Sequence, residues 1–507
     1  MKRVRGANVA LLAFVVSVGP GARGSALAQD IDQAIQAYNS DDYANAAYLF
    51  FDVKENSADP DSRIKAEYYL GRSLYRAGLL LPAYQFYGEV FNAGESHPYF
   101  LKATEGLLDV ARDIGDDTLI PEIINRGYAQ AFARLKADEL NAINYMIGMI
   151  SQRRGNFQEA KQFLEAVRDD SDYFDRSRYL LAIMAVKTAT EQGDSDYKEA
   201  IKHFETIERR TEKTTSDDER KLYRLALLGQ ARAYFSQGDF AKSVAFYEKV
   251  PRFSEDWYDA MFESGWAYFQ NAQFGRALGM VHSIQSPYFD DRYRSESFVL
   301  KATAYFQMCH FDRARKALDS FFKIYEPMSE MLKPWLGSEQ TDAEMVDLIV
   351  NGATKFPSEI RRQIANNRRF QKFLSQVREV DTEMARARSE LPNSGFKNQM
   401  LALLEVQREQ RVALTGKLVR DQLRRESVFL EDFLGQGRII QLETTTAERK
   451  MLAAGKDITK GPRAKGPRPI IPDATYQYWA FLGEYWIDEL GYYEHSIKDE
   501  CVPEVFQ

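Results

Sequence analysis

The sequence predicts an all-α chain: a solenoid of about eight helix pairs, a long helical hairpin, and an aromatic helix at the C-terminus. Three observations predict it. A helix–turn–helix pattern recurs in register between residues 30 and 326 of a 507-residue chain. Two long charged helical stretches follow, separated by one Pro/Gly loop. Aromatic residues reach 13%, and stacked helix pairs use aromatic side chains to wedge neighbouring helices apart.

The first element is an export signal. Lys2, Arg3 and Arg5 make a positive region, "ANVALLAFVVSV" an apolar core, and Ala26 and Ala28 an A-x-A cleavage pattern. The apolar stretch is about 12 residues, too short for a membrane of about 30 Å. Residues 1–28 are therefore expected to leave the mature protein. They carry Lys2, Arg3, Arg5 and Arg23 and no acid, so the net charge of -7 falls to -11. That balance argues against nucleic acid as a partner. No later stretch has the length and apolarity of a membrane span, so a soluble mature chain is expected.

Next comes the repeat. Five segments align: 69–90, 146–167, 229–250, 263–284 and 300–321. Each opens with a small residue (Gly71, Gly148, Ala231, Gly265, Ala302). A turn residue follows (Gly78, Gly155, Gly238, Ala272, Cys309), then an apolar residue (Leu80, Phe157, Phe240, Phe274, Phe311). A second small residue (Ala83, Ala160, Ser243, Ala277, Ala314) and a bulky one (Tyr87, Leu164, Tyr247, Val281, Leu318) complete it. Small residues let two helices approach, the turn reverses the chain, and the bulky residue fills the gap to the next pair. Segments 34–53, 103–123 and 196–207 are weaker copies. The pattern resembles the tetratricopeptide repeat, whose consensus length is about 34 residues. The resemblance covers 29–326 and implies a right-handed superhelix with a groove for a peptide, helix or protein segment.

The family's groove-facing positions map onto Tyr68, Arg72, Tyr75, Arg76, Tyr145, Met149, Arg153, Arg232, Phe235, Phe262, Trp266, Phe269 and Phe306. Guanidinium groups pair carboxylates through two parallel bonds, so such a groove suits an acidic or C-terminal carboxylate ligand. The alternative is that these side chains pack on neighbouring helices or on the chain's own tail.

Beyond the repeats, 327–357 reads as a connecting segment broken by Pro327, Pro334 and Gly337. Residues 358–436 read as an antiparallel hairpin. Its first limb starts at Ser358, its loop contains Pro392 and Gly395, and its second limb stops at "GQG" (435–437). Its apolar seams are thin, so it is expected to project into solvent or await a partner. Residues 437–473 form a basic Gly/Pro-rich linker.

The last segment, 474–507, places Trp479, Leu482, Tyr485, Trp486 and Leu490 on a broad helical face that reads as a docking surface. Glu484 and Asp488 fall on the opposite face. They do not converge as a catalytic carboxylate pair would. Cys309 and Cys501, the only cysteines, could form one disulfide in an oxidising compartment or stay as two thiols.

No phosphate-binding loop, HExxH, CxxC or GxSxG motif occurs, and the five histidines are scattered. The sequence offers no catalytic, cofactor or metal-ligand set, and an enzyme is the minor reading. The closing stretch (Gly483, Glu484, Tyr485, Trp486, Asp488, Glu489, Leu490, Gly491, Tyr492, Cys501) is similar to that of secreted repeat proteins of myxobacteria and related bacteria. These include envelope proteins of adventurous gliding motility. The resemblance implies a periplasmic, non-enzymatic scaffold that binds other envelope proteins. Outer-membrane or cell-wall assembly is the alternative process. A lipid-attachment cysteine found in lipoprotein relatives is missing, which leaves outer-membrane association open.

Overall fold

A computed structural model describes residues 31–193, 196–290, 292–337, 339–455 and 484–501. Among them the regular structure is helical. Eight helix pairs stack in chain order. They are α1 (Ile31–Asn39) with α2 (Tyr43–Asn56), α3 (Pro60–Arg76) with α4 (Leu80–Asn92), and α5 (Phe100–Asp113) with α6 (Leu119–Arg126). Then come α7 (Ala137–Arg154) with α8 (Phe157–Glu165), α9 (Phe174–Gln192) with α10 (Lys198–Thr211), and α11 (Asp217–Ser236) with α12 (Phe240–Glu248). The last two are α13 (Trp257–Gln270) with α14 (Phe274–Ile284) and α15 (Glu296–Gln307) with α16 (Phe311–Leu332).

The motif explains the pairs. Every turn residue of the five aligned segments is left-handed: Gly78 at φ 70°, Gly155 at 83°, Gly238 at 78°, Ala272 at 56° and Cys309 at 57°. Glycine adopts that region freely, whereas Ala272 and Cys309 hold it against a steric cost. The small and bulky positions meet as expected. A Cβ on Gly148 would lie 2.6 Å from Leu164 Cγ, so only hydrogen fits there.

After the repeats come α17 (Asp342–Val350), α18 (Ser358–Ala365), α19 (Arg368–Glu390) and α20 (Gly395–Ala453). Several boundaries differ from the sequence expectation. The solenoid does not end at 326, because α16 continues through Pro327 to Leu332. Tyr325, Met328 and Leu332 are buried against the following helices. That packing offsets the roughly 3 kcal/mol an internal proline costs. The expected connecting segment contains α17, opened by a capping box of Thr341 and Glu344. The first hairpin limb is two helices, because Asn367 caps α19 through its side chain and separates it from α18.

The second limb does not stop at "GQG". It runs 59 residues to Ala453, about 88 Å at 1.5 Å per residue. Gly437 lies against Phe321 and Phe322 of α16, with its missing Cβ 3.1 Å from Phe321 Cε1. The glycine that reads as a stop is the small residue that admits α16. Residues 437–453 are therefore helix rather than linker. The remainder of the expected linker, from 456, lies outside the described residues.

The hairpin does not project into solvent either. It runs back along the array. One core joins the first repeats to Val380, Met384 and Ala387 of α19 and Phe396, Met400 and Leu404 of α20. Phe396 meets Phe51 at 4.9 Å between ring centroids. The buried carboxyl of Glu383 accepts from Leu81 N–H at 3.0 Å, and Arg386 donates to Gly78 O at 2.7 Å. A second core joins Val299, Phe321 and Tyr325 of the last repeat to α17, α18, the start of α19, and Leu418 to Leu434 of α20. The hairpin therefore grips both ends of the array.

Candidate partner-binding surfaces

The side chains expected to line a groove are mostly engaged with the next helix. Tyr68 is buried and stacks on Tyr99 at 5.0 Å. Arg72 lies over the Tyr75 ring at 5.7 Å. Tyr75 donates to Asp113 at 2.7 Å, and burial together with that carboxylate pushes its hydroxyl up to about 12. Arg76 donates to Tyr43 Oη at 2.6 Å. Tyr145 rests on Tyr173 at 5.3 Å, and Met149 is buried. Arg153 pairs with Asp117 at 3.3 Å.

Further along, Arg232 closes its fork on Glu263 with two bonds of 2.7 Å, and Tyr247 donates to the same carboxylate at 3.0 Å. Phe235 packs on Phe240 and Phe306 on Phe311. Phe262 is buried under Arg294. Trp266 meets Phe269 at 5.7 Å. The geometry suited to a ligand carboxylate is thus met by acids of the array itself.

The C-terminal segment corrects a second expectation. Residues 484–501 are not a helix. They form two turns and an extended strap lying across α13, α14 and the α15–α16 turn. Helical periodicity gave way for local and tertiary reasons. Gly491 sits at φ 86°, which breaks a right-handed run. The strap's backbone bonds instead to the array. His495 N–H donates to Gly275 O at 3.0 Å, Glu500 N–H to Met308 O at 3.1 Å, and Gly491 N–H to Ser283 Oγ at 2.9 Å.

Gly275, Gly279 and Ser283 lie four residues apart on α14, so they share one face. A Cβ on Gly279 would fall 1.6 Å from Tyr493 O. This small-residue stripe is in the sequence, yet a docked backbone cannot be read from it without the strap in view.

Of the expected docking residues, Leu490 is buried among Trp257, Met261 and Met280. Tyr485 stacks on His282 at 4.7 Å. Trp486 is exposed. Trp479 and Leu482 lie outside the described residues. Sequence reasoning missed Arg252, between α12 and α13. Its guanidinium donates to Asp488 O at 2.9 Å and Leu490 O at 3.1 Å, and lies over Tyr492 at 4.6 Å.

Cys309 and Cys501 are bonded, with Cα atoms 5.0 Å apart, which ties the end of the strap to the turn of the last pair. His310 is buried beside this bond, and its Nε2–H donates to Lys498 O at 2.7 Å.

Among the described residues, no group of three or more His, Cys, Asp or Glu is placed to hold a metal ion. No helix there is long and apolar enough to cross a membrane. A family model of the tetratricopeptide repeat matches residues 225–252, which span most of α11 and all of α12. No curated protein matches the chain. The all-α repeat architecture accords with that match, and repeats of this kind are interaction modules.

Proposed function

We propose that this chain is a scaffold for protein–protein interaction, exported from the cytoplasm and working in an envelope-associated complex. The observation that carries the reading is the stack of eight helix pairs with a tetratricopeptide match inside it. Such a stack offers a long surface for protein partners. Two further features support export. The first 28 residues have the pattern of a cleaved leader. The disulfide belongs to an oxidising compartment such as the periplasm. The likeness of the closing stretch to secreted repeat proteins favours a motility-type envelope machine as the setting.

The test is photo-crosslinking in intact cells from Arg153 and Arg232, on the array, and from Ile439 and Leu442, exposed on α20. The same material gives the N-terminus of the processed chain. The reading expects a start at Gln29 and crosslinks to exported proteins at one or more of these positions. Motility components would support the setting named here, and wall-synthesis or barrel-assembly proteins would replace it. An unprocessed chain crosslinked to cytoplasmic proteins would overturn the reading.

A further inference from the structure

Three of the five histidines in the chain meet where the strap lies on the array. His282 comes from α14, His310 from the start of α16, and His495 from the strap itself. The rings of His282 and His495 are 6.1 Å apart. Tyr485 and Tyr493 enclose His282, at 4.7 and 4.8 Å.

The charged groups around this cluster are mostly cations. Lys301 projects from α15 and Arg313 from α16, and both act on His495. Arg276 of α14 approaches Glu494 at 3.7 Å, and Glu500 lies 3.8 Å from His310 Nδ1. Among the described residues the nearby carboxylates are engaged with other groups, Glu494 with Arg276, Glu500 with His310 and Glu489 with Tyr493, while Lys301 and Arg313 act on the facing pair.

We propose that residues 484–501 form an acid-released latch. Protonation of His282 and His495 detaches the segment from Tyr485 to Ile497, while the Cys309–Cys501 bond keeps its far end tethered. Two imidazolium rings at this separation, with Lys301 and Arg313 close by, repel each other in this half-buried site. Release bares Trp257, Met261 and Met280, which Leu490 now covers. The latch goes beyond the scaffold reading and does not depend on which partner the array binds.

Burial holds both rings in the neutral form. His282 is lowered by burial and then by Lys301. His495 is lowered from 6.5 to about 4 by burial, then by His282, Lys301 and Arg313. A histidine depressed in the docked state binds fewer protons there than when free. Docking is therefore full above the free value and is lost as pH falls from about 6.5 towards 4. His495 alone makes docking about 30-fold weaker at about pH 5 than at about pH 7.5.

The test is hydrogen exchange by mass spectrometry on the full oxidised chain at these two pH values, corrected for intrinsic rates. Protection of the peptide spanning Gly491 and His495 is expected to fall about 30-fold or more in acid. The α7–α8 helices keep theirs. The double variant His282→Gln/His495→Gln is expected to show the same protection at both pH values.

Unchanged protection in the wild-type chain would overturn the proposal, as would a pH response that survives in the folded double variant. Should the variant not fold, proton NMR of the wild-type histidines decides. A ring assigned to His495 that titrates near 6.5 sinks the latch, and one that titrates well below it, together with loss of Tyr493 contacts, supports it.

Discussion

The two ends of the helix-pair array and its middle are built from the same motif and held in different ways. At the ends, the cores run through the array and into the hairpin, so residues far apart in sequence, such as Phe51 and Phe396, share one interior. In the middle, the cores around Leu164, Phe204 and Ile201 contain only residues of α7 to α11 and their turns. A plain solenoid is stabilised pair by neighbouring pair. Here only the middle follows that rule. Cross-bracing at both ends turns a one-dimensional stack into a closed circuit, and the middle is its softest part.

The largest way to break this contrast is Phe396→Ala. Removing a nearly fully buried aromatic costs about 3–5 kcal/mol. Phe204→Ala costs a similar amount in the middle. The two should differ in reach. Hydrogen exchange is expected to rise across α1–α4 and the α19–α20 loop in the first variant, and only across α9–α11 in the second. Equal spread in both would show that the ends are held no differently from the middle.

The next effect is on the hairpin's grip. Burial, opposed in part by Leu81 N–H and Arg411, pushes Glu383 from 4.5 up to about 7. A group raised in the folded state stabilises most below its unfolded value and loses that contribution as pH climbs through the folded one. Urea unfolding should therefore show stability falling by about 3 kcal/mol between pH 4.5 and 7. Glu383→Gln should flatten that slope. The end brace thus loosens towards neutral pH, whereas the strap loosens towards acid.

A smaller change tests the strap alone. Arg252→Ala removes a charged donor from two strap carbonyls and should weaken docking by about 1.5–3 kcal/mol. Exchange at Gly491 and His495 reads the loss, and array melting should stay put. Smallest is Arg232→Ala, which breaks a half-exposed pair with Glu263. About 0.2–1 kcal/mol is expected from thermal unfolding.

Much of this architecture is legible in the sequence, because its signals are local. The turn positions name the left-handed residues, and Gly148 and Leu164 name their own contact. Two long charged runs foretell two limbs. What was not legible depends on distant partners. Gly437 reads as a stop until Phe321 is beside it, and Pro327 reads as a break until its neighbours Tyr325, Met328 and Leu332 are packed on the following helices. Asn367 was readable as a cap, but the unbroken apolar pattern on either side concealed it. Tyr485, Trp486 and Leu490 share the expected helical face in the sequence, yet the backbone just beyond them, at Gly491 and His495, bonds to α14, and no pattern within the run reports that. The guanidinium groups were visible, but not that Glu263 and Asp117 already face them.

The length of α20 has a mechanical consequence. Stacked helix pairs behave as a spring, able to stretch or coil when pulled by what they bind. A rod of 59 residues packed on both ends of such a spring sets its resting length. Tension applied across the ends would pass through the rod, and the coil between would feel little of it. The chain can then transmit pulling force along one helix while the intervening turns stay free to adapt their shape.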